Sequence, residues 1–414
     1  MKYLWIIGGG QLQVPVIKEA HKMGYKTIIS DMNPDCICAK LADMFVHLDI
    51  YDIEGHIKYV KLLSSVYEID DVVGVIACGI DAPETASWIA KTLGLPAADP
   101  EVARICHNKG EFRKAMKLLD YPVPKFGIID KDEIEKISKN PLHINSLPVI
   151  VKNTDNSGSR GTTIFHNYLW TYKELHEAIK KAQKASKSGK AIVEELFYGT
   201  EHTVETLFDI YGNFYSCFIT DRFFDYSGGY AVETGLRHPT TLPAYLQRKI
   251  YKITEELGRD LGVNASPFKL DIMVTDDGVR VLEATTRLSG GFDCQYLVPL
   301  ATGKNIIKAG ILIATGYASV DWLLKDELGL VGLTGSLFPP QGKIVKIDDT
   351  EARKVEGVKE IFWRYRVGDI IEEYIDSTKR VNFIICVGKT EDEARMSLEE
   401  AKNKIILEVQ QCQQ

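Results

Sequence analysis

The 414-residue chain, 45% hydrophobic and 26% charged, has the composition of an ordinary globular protein and is long enough for about three domains. A formal net charge of −7 and a pI near 5.8 exclude a broad basic footprint for nucleic acid. Eight scattered cysteines signal neither a zinc framework nor a disulfide scaffold, and no basic leader or membrane-length apolar run is seen, so a cytoplasmic protein without a membrane partner is expected.

Residues 1 to about 95 alternate strands at 3–7, 27–30, 45–48 and 72–77 with helices at 12–23, 53–66 and 83–93. That βαβ order predicts a parallel sheet with helices on both faces. Gly8-Gly9-Gly10 at the first turn and Asp31 after the second strand match a dinucleotide fingerprint in part, but its third glycine falls at Gln13. A tight turn that needs glycine is the favoured reading over NAD binding. Asp81 and Glu84 have capping-box spacing, with Asp in place of Ser or Thr, and a helix cap is expected there.

Proline clusters between 95 and 124 bracket a helix around 109–119 and mark a domain boundary. A strand at 126–129, a polar helix near 131–139 and an apolar strand at 147–152 follow, the last ending in Lys152. The loop 153–162 is rich in small residues. Backbone N–H groups freed by Gly158 and Gly161, with the hydroxyls of Ser157, Ser159 and Thr162, have the makings of an anion nest, with a plain hairpin turn as the alternative. A lysine-rich helix at 172–187 leads to two strands around Gly199, and a helix at 244–261 precedes a hairpin.

In that hairpin, runs at 268–275 and 279–285 flank Asp276-Asp277-Gly278, a three-residue loop with glycine in the left-handed last position. The implied register places Asp271 opposite Glu283 and Lys269 opposite Thr285, with Leu270, Ile272, Val274, Leu282 and Ala284 on the other, apolar face. A two-residue Asp277-Gly278 loop would instead separate the carboxylates. Opposed carboxylates repel at about 5 Å, and a hard divalent cation such as Mg²⁺ would relieve the repulsion; a solvated charged face is the alternative. Beyond the hairpin, a helix at 303–316, strands near 342–347 and 381–388 and a closing helix at 391–409 are expected.

The series Lys109, Lys152 with its loop, Glu194-Glu195-Leu196, Gly199-x-Glu201-x-x-x-Glu205, Asp271 and Glu283-x-Thr-x-Arg287 resembles the ATP-grasp superfamily, in its carbamoyl-phosphate synthase large chain and biotin carboxylase-like branch of carboxylate–amine ligases. The resemblance implies a multidomain α/β and α+β fold: an N-terminal parallel α/β pre-ATP-grasp domain at 1–108, an ATP-grasp fold at 109–320 with its lid at about 125–195, and a small C-terminal α+β module at 321–414. It implies ATP and Mg²⁺ as cofactors, with Mn²⁺ as the alternative ion. Lys109 and Lys152 would hold phosphates, the flap with Ser157, Gly158, Ser159, Gly161 and Thr162 would close over them, Glu194, Glu195 and Leu196 would run past adenine, and Glu201 would bind ribose. Asp271 and Glu283 match the paired metal carboxylates. Arg287 matches the arginine that, with Lys152, serves the chemistry at the transferred phosphoryl group or activated acid. Ser289-Gly290-Gly291 resembles the turn beside the substrate.

The chain departs from the family's Glu-x-Asn-Pro-Arg with Glu283-Ala-Thr-Thr-Arg287, which makes Thr285 a weaker, shorter ligand than the amide it replaces. The implied activity is activation of a carboxylate as an acyl phosphate for attack by an amine. Carboxylation from bicarbonate through carboxyphosphate is the runner-up, and nucleotide binding without turnover a third reading. Small-molecule acid and amine substrates and a homodimer through the N-terminal domain are the implied partners.

Overall fold

The computed structural model describes residues 1–66, 71–131, 148–167, 170–226 and 230–411. Apart from Lys131, the polar helix expected near 131–139 lies outside the described residues. The strand Tyr3–Ile7 is buried at all but its first residue, as a parallel strand covered on both faces must be. It lies between Lys26–Asp31 and Val72–Ala77, and Met44–His47 completes a four-stranded parallel sheet. Trp5 and Ile7 share a core with Leu63 and Ile89 from the helices Ile53–Val66 and Pro83–Leu93. Leu4 and Ile6 face the other way, into a core with Ile17 of the helix Val14–Lys22 and Ile311 and Ile313 of the helix Ile306–Ala314. One cover of the N-terminal sheet thus comes from the far end of the predicted central domain.

The lid is an antiparallel sheet in the order Phe126–Ile129, Ala191–Glu195, Val149–Asn153, Thr163–Phe165. The helix Tyr172–Ala185 packs Leu175, Ile179 and Ala182 onto Val149, Val151 and Val193 and starts in a full capping box between Thr171 and Glu174.

Eight antiparallel strands form the central sheet, in the order Gly278–Thr285, Ser266–Thr275, Thr200–Phe208, Phe214–Asp225, Val232–His238, Val331–Gly335, Asn382–Gly388, Val358–Trp363. It runs without a break past residue 320, so the C-terminal module continues the sheet of the preceding domain. The expected closing helix ends early: the helix is Glu391–Lys404, and Ile406–Gln410 is a strand paired with Gly342–Asp348. The β-branched Ile405, Ile406 and Val409 suit that pairing, and Ile405 is buried.

The hairpin that carries Asp271 and Glu283 differs from its expected turn. Thr275 pairs with Gly278, leaving Asp276-Asp277 as a two-residue loop, and a register shift near Asp271 restores the Asp271–Glu283 pair. The shift is a bulge in which Leu282 and Glu283 together oppose Asp271. In consequence Val281, not the expected Leu282, enters the core with Leu270, Ile272 and Ala284. Leu282 is half-buried and turned to a cavity.

Candidate active site

Lys109 opens the helix Lys109–Leu118, capped by Asn108, whose side chain accepts from Glu111 N–H at 3.1 Å. Its backbone N–H donates to Thr154 O at 2.8 Å and its Nζ to Asn156 O at 2.7 Å, tying the helix start to the loop 153–162. Buried Asn153 shapes that loop: its Oδ1 accepts from Asn156 N–H at 2.6 Å and its Nδ2 donates to Arg160 O at 2.7 Å. Gly158, Ser159 and Gly161 have φ of 69°, 60° and 67°, the left-handed region that favours glycine and that Ser159 enters without being one. At Gly161 close packing also demands glycine, since a Cβ there would lie 2.6 Å from Ala185 Cβ.

The bulged hairpin sets the acidic wall. Asp271 is buried and accepts from Lys269 Nζ at 2.6 Å and Thr203 Oγ1 at 2.9 Å, with Arg222 Nη1 at 3.1 Å. Burial would raise its pKa, but Arg222 and Lys269 outweigh that and hold it well below the carboxylate range. Glu283 is more open and lies 3.6 Å from Lys109 Nζ. Thr285 Oγ1 is buried and has no hydrogen-bond partner among the described residues.

Behind the wall stands Arg113, which the sequence reading missed. Its Nη1 and Nη2 donate to Val281 O (3.0 Å) and Leu282 O (2.7 Å), fastening the bulge, and its Nε donates to Glu194 at 2.5 Å. Glu194 also takes Lys152 Nζ at 3.1 Å. Burial opposes ionisation of Glu194, yet Arg113 and Lys152 bring its pKa down to about 2. An arginine one residue after Phe112 and three before Met116, both buried on the same helix, was the available signal.

Asp81 does not cap the helix that its spacing to Glu84 predicts, which is capped at Ala82 without any side-chain bond. Its carboxylate accepts from Ser157 Oγ, lies 3.3 Å from Arg287 Nη2 and 3.5 Å from Arg160 Nη2. Burial alone would raise its pKa; the charges of Arg287 and His107 and the Ser157 bond keep it well below the usual range. Asp81 thereby joins the N-terminal domain, the flap and the arginine. Asp31, for its part, accepts from Gly9 N–H at 2.8 Å and Asn33 N–H at 2.8 Å, which agrees with a structural turn at the glycines.

Lys109, Lys152, Ser157, Gly158, Ser159, Thr162, Glu201, Asp271, Glu283, Thr285 and Arg287 line one cavity of about 480 Å³. Gly161, Glu194, Glu195 and Leu196 lie outside its lining. Glu195 and Leu196 donate their backbone N–H groups to Lys125 O and Pro148 O, both at 2.9 Å. Glu201 accepts from Tyr226 OH at 2.7 Å and lies 3.7 Å from Arg222. Among the described residues no cluster of three or more His, Cys, Asp or Glu gathers as a metal site, and no helix is long and apolar enough to cross a membrane.

Three family models match the chain in order: a ribonucleotide synthetase preATP-grasp domain over 1–80, an ATP-grasp domain over 145–295 and an L-amino acid ligase C-terminal domain 2 over 336–410. The uncharacterized protein y4rH of Sinorhizobium fredii is 22% identical over 338 residues, 81% of this chain and 68% of that one. L-amino acid ligase from Bacillus licheniformis has a crystal structure that superposes with a TM-score of 0.81 at 20% identity, covering 99% of both chains. Phosphoribosylglycinamide synthetase from Anaerococcus prevotii superposes with a TM-score of 0.75 at 22% identity, covering 99% of this chain and 100% of that one. At these identities the superpositions speak for the fold.

Proposed function

We propose that this chain, a member of the ATP-grasp superfamily by its matches over 1–80, 145–295 and 336–410, is a ligase that joins a carboxylate to an amine with release of ADP and phosphate. The observation that carries the reading is one cavity lined by Lys109, Lys152 and Arg287 on the cationic side and by the Asp271–Glu283 pair on the acidic side. Transfer of a phosphoryl group to a carboxylate asks a protein mainly to position reactants and neutralise the transferred oxygens. Lys109 and Lys152 would hold nucleotide phosphates under the 153–162 loop. Arg287, braced by Asp81, would meet the carboxylate that becomes an acyl phosphate, and the same loop would exclude water from it.

The donor set fits Mg²⁺. It is all oxygen, two carboxylates stand directly opposed, and Thr285 Oγ1 is buried with no hydrogen-bond partner among the described residues, which suits an ion that binds through one or two carboxylates and substrate phosphates. Glu283 and Asp271 would hold the ion, with Thr285 beside them and Mn²⁺ as a substitute. When bound, it would supply charge neutralisation at the phosphates.

The match over 336–410 favours an amino acid as one substrate, and carboxylation from bicarbonate through carboxyphosphate is the alternative. Measuring ADP and phosphate release against a panel of acids and amines, with and without bicarbonate, separates the two. Strict dependence on bicarbonate would sink the amide reading, and tight Mg-ATP binding without ADP under any acceptor would sink both. The seven described cysteines are buried and unbridged, which supports a reducing compartment. A homodimer through the N-terminal domain is part of this proposal, to be weighed by sedimentation.

A further inference from the structure

Charge pairing in and behind the cavity is nearly complete. Asp81, Glu194, Glu201, Glu233, Asp271 and Glu283 each have a basic side chain within 4.0 Å. Glu205 and Asp293 are buried, 0% and 2% exposed, and form no ion pair among the described residues. Lys269 acts on both at longer range, but its Nζ is engaged by Asp271 at 2.6 Å.

Both residues attach to the same turn, Glu205 by its carboxyl and Asp293 by its backbone. Glu205 Oε2 accepts from Ser289 N–H at 2.7 Å, Asp293 N–H donates to Gly290 O at 3.3 Å, and Asp293 Oδ1 accepts from Thr220 Oγ1 at 3.0 Å. Asp293 and Ser289 line the cavity. Glu205 Oε1 and Ser289 Oγ are buried and have no hydrogen-bond partner among the described residues. Two buried acids with spare acceptor oxygens and no cation are costly to ionise. Their complement is a ligand cation with several N–H donors, which is what an alkylammonium is.

We infer that Asp293, with Glu205 behind it, receives the ammonium form of the acceptor amine and takes its proton. The inference rests on the ligase reading. The Asp293 carboxylate accepts one proton from R–NH₃⁺, and the freed nitrogen lone pair forms a C–N bond at the carbonyl carbon of the acyl phosphate. The C–O bond to phosphorus's oxygen breaks, phosphate leaves with that electron pair, and it carries off the second nitrogen proton.

Hydroxylamine is neutral at neutral pH and needs no such acceptor. The full chain, supplied with Mg-ATP and a mixture of the common L-amino acids, is assayed for hydroxamate with hydroxylamine and for amide without it. Asp293→Asn is expected to lose amide formation about 100-fold while hydroxamate stays within about threefold, and Asp293→Glu to recover part of the amide. Equal loss of both products by a folded Asp293→Asn, or no loss of amide, overturns the inference. Wild-type protein that forms neither product tells against the ligase reading itself. Should Asp293→Asn not fold, wild type is assayed with methylammonium and tetramethylammonium at equal ionic strength. Methylammonium alone, having N–H donors, is expected to raise the KM for the amine, and equal effects of the two ions overturn the assignment.

Discussion

Glu283 and Asp271 face each other across one ladder position yet differ in what else holds them. Asp271 is bonded by Lys269, Thr203 and Arg222, so removing it leaves Lys269 without an ion pair among the described residues, while Arg222 keeps Glu233 at 2.8 Å, a change that costs about 3–5 kcal/mol. Among the described residues Glu283 has only Lys109, at 3.6 Å, and its side chain is 35% exposed, a pairing worth under about 1 kcal/mol. Glu283→Ala is therefore the cleaner probe of the metal. ADP formation should fall about 100-fold or more, while thermal unfolding shows a stability change within about 0.5 kcal/mol. Undiminished Mg²⁺-dependent ADP release from this variant would refute the metal assignment. Asp81 shows the limit of reading residues locally: its spacing to Glu84 looked like a cap, but its partners are Ser157, Arg160 and Arg287, and no local pattern reports contacts between distant domains.

At the scale of elements, the hairpin was legible in its outcome and not in its route. The expected three-residue loop and the observed two-residue loop plus bulge both place Asp271 opposite Glu283, because the bulge adds back the residue that the shorter turn removes. What differs is the fate of Val281 and Leu282. Val281→Ala should cost about 2 kcal/mol as a core truncation, whereas Leu282→Ala should cost about 0.5 kcal/mol and raise the KM for ATP. Chemical denaturation and steady-state kinetics check both, and a straight strand would reverse the stability order. The closing strand Ile406–Gln410 had a signal in its β-branched residues, but the helical charge pattern before it masked the change of period. The strand Ala191–Glu195 carries a pH prediction. The Glu194 pKa falls from 4.5 to about 2 in the fold, where Arg113 and Lys152 overcome burial. Between those values the unfolded chain binds a proton that the folded chain does not, so stability grows with pH there and is lost as pH falls through about 2. Glu194→Gln should flatten that acid limb in denaturation midpoints, and it should be less stable at neutral pH because Arg113 is left buried without its counter-charge. An unchanged acid slope would show that the pair is not what sets it.

For the whole molecule, the boundaries expected at 108 and 320 are both crossed by packing. The central sheet continues into Val331–Gly335 and Asn382–Gly388, and helix Ile306–Ala314 returns to roof the N-terminal sheet. The turn at Leu288 adds to that sheet as well: Gly79 N–H donates to Leu288 O at 2.9 Å and Leu288 N–H to Ala77 O at 3.3 Å. Periodicity reports which face of a strand is apolar, but it does not say which later helix will cover it. A fragment of residues 1–108 would lose the cover over Leu4, Ile6 and Ile76. At about 1.5–3 kcal/mol per buried aliphatic side chain, that removes up to roughly 5–9 kcal/mol, comparable with the entire stability of a small domain. The fragment is therefore expected to bind a hydrophobic dye and to unfold without a sharp transition, while the full chain loses the N-terminal and central domains together on heating. A fragment that unfolds sharply and leaves the dye dark would mean that the N-terminal sheet stands alone, and that Asp81 reaches Arg287 only by docking of a finished domain.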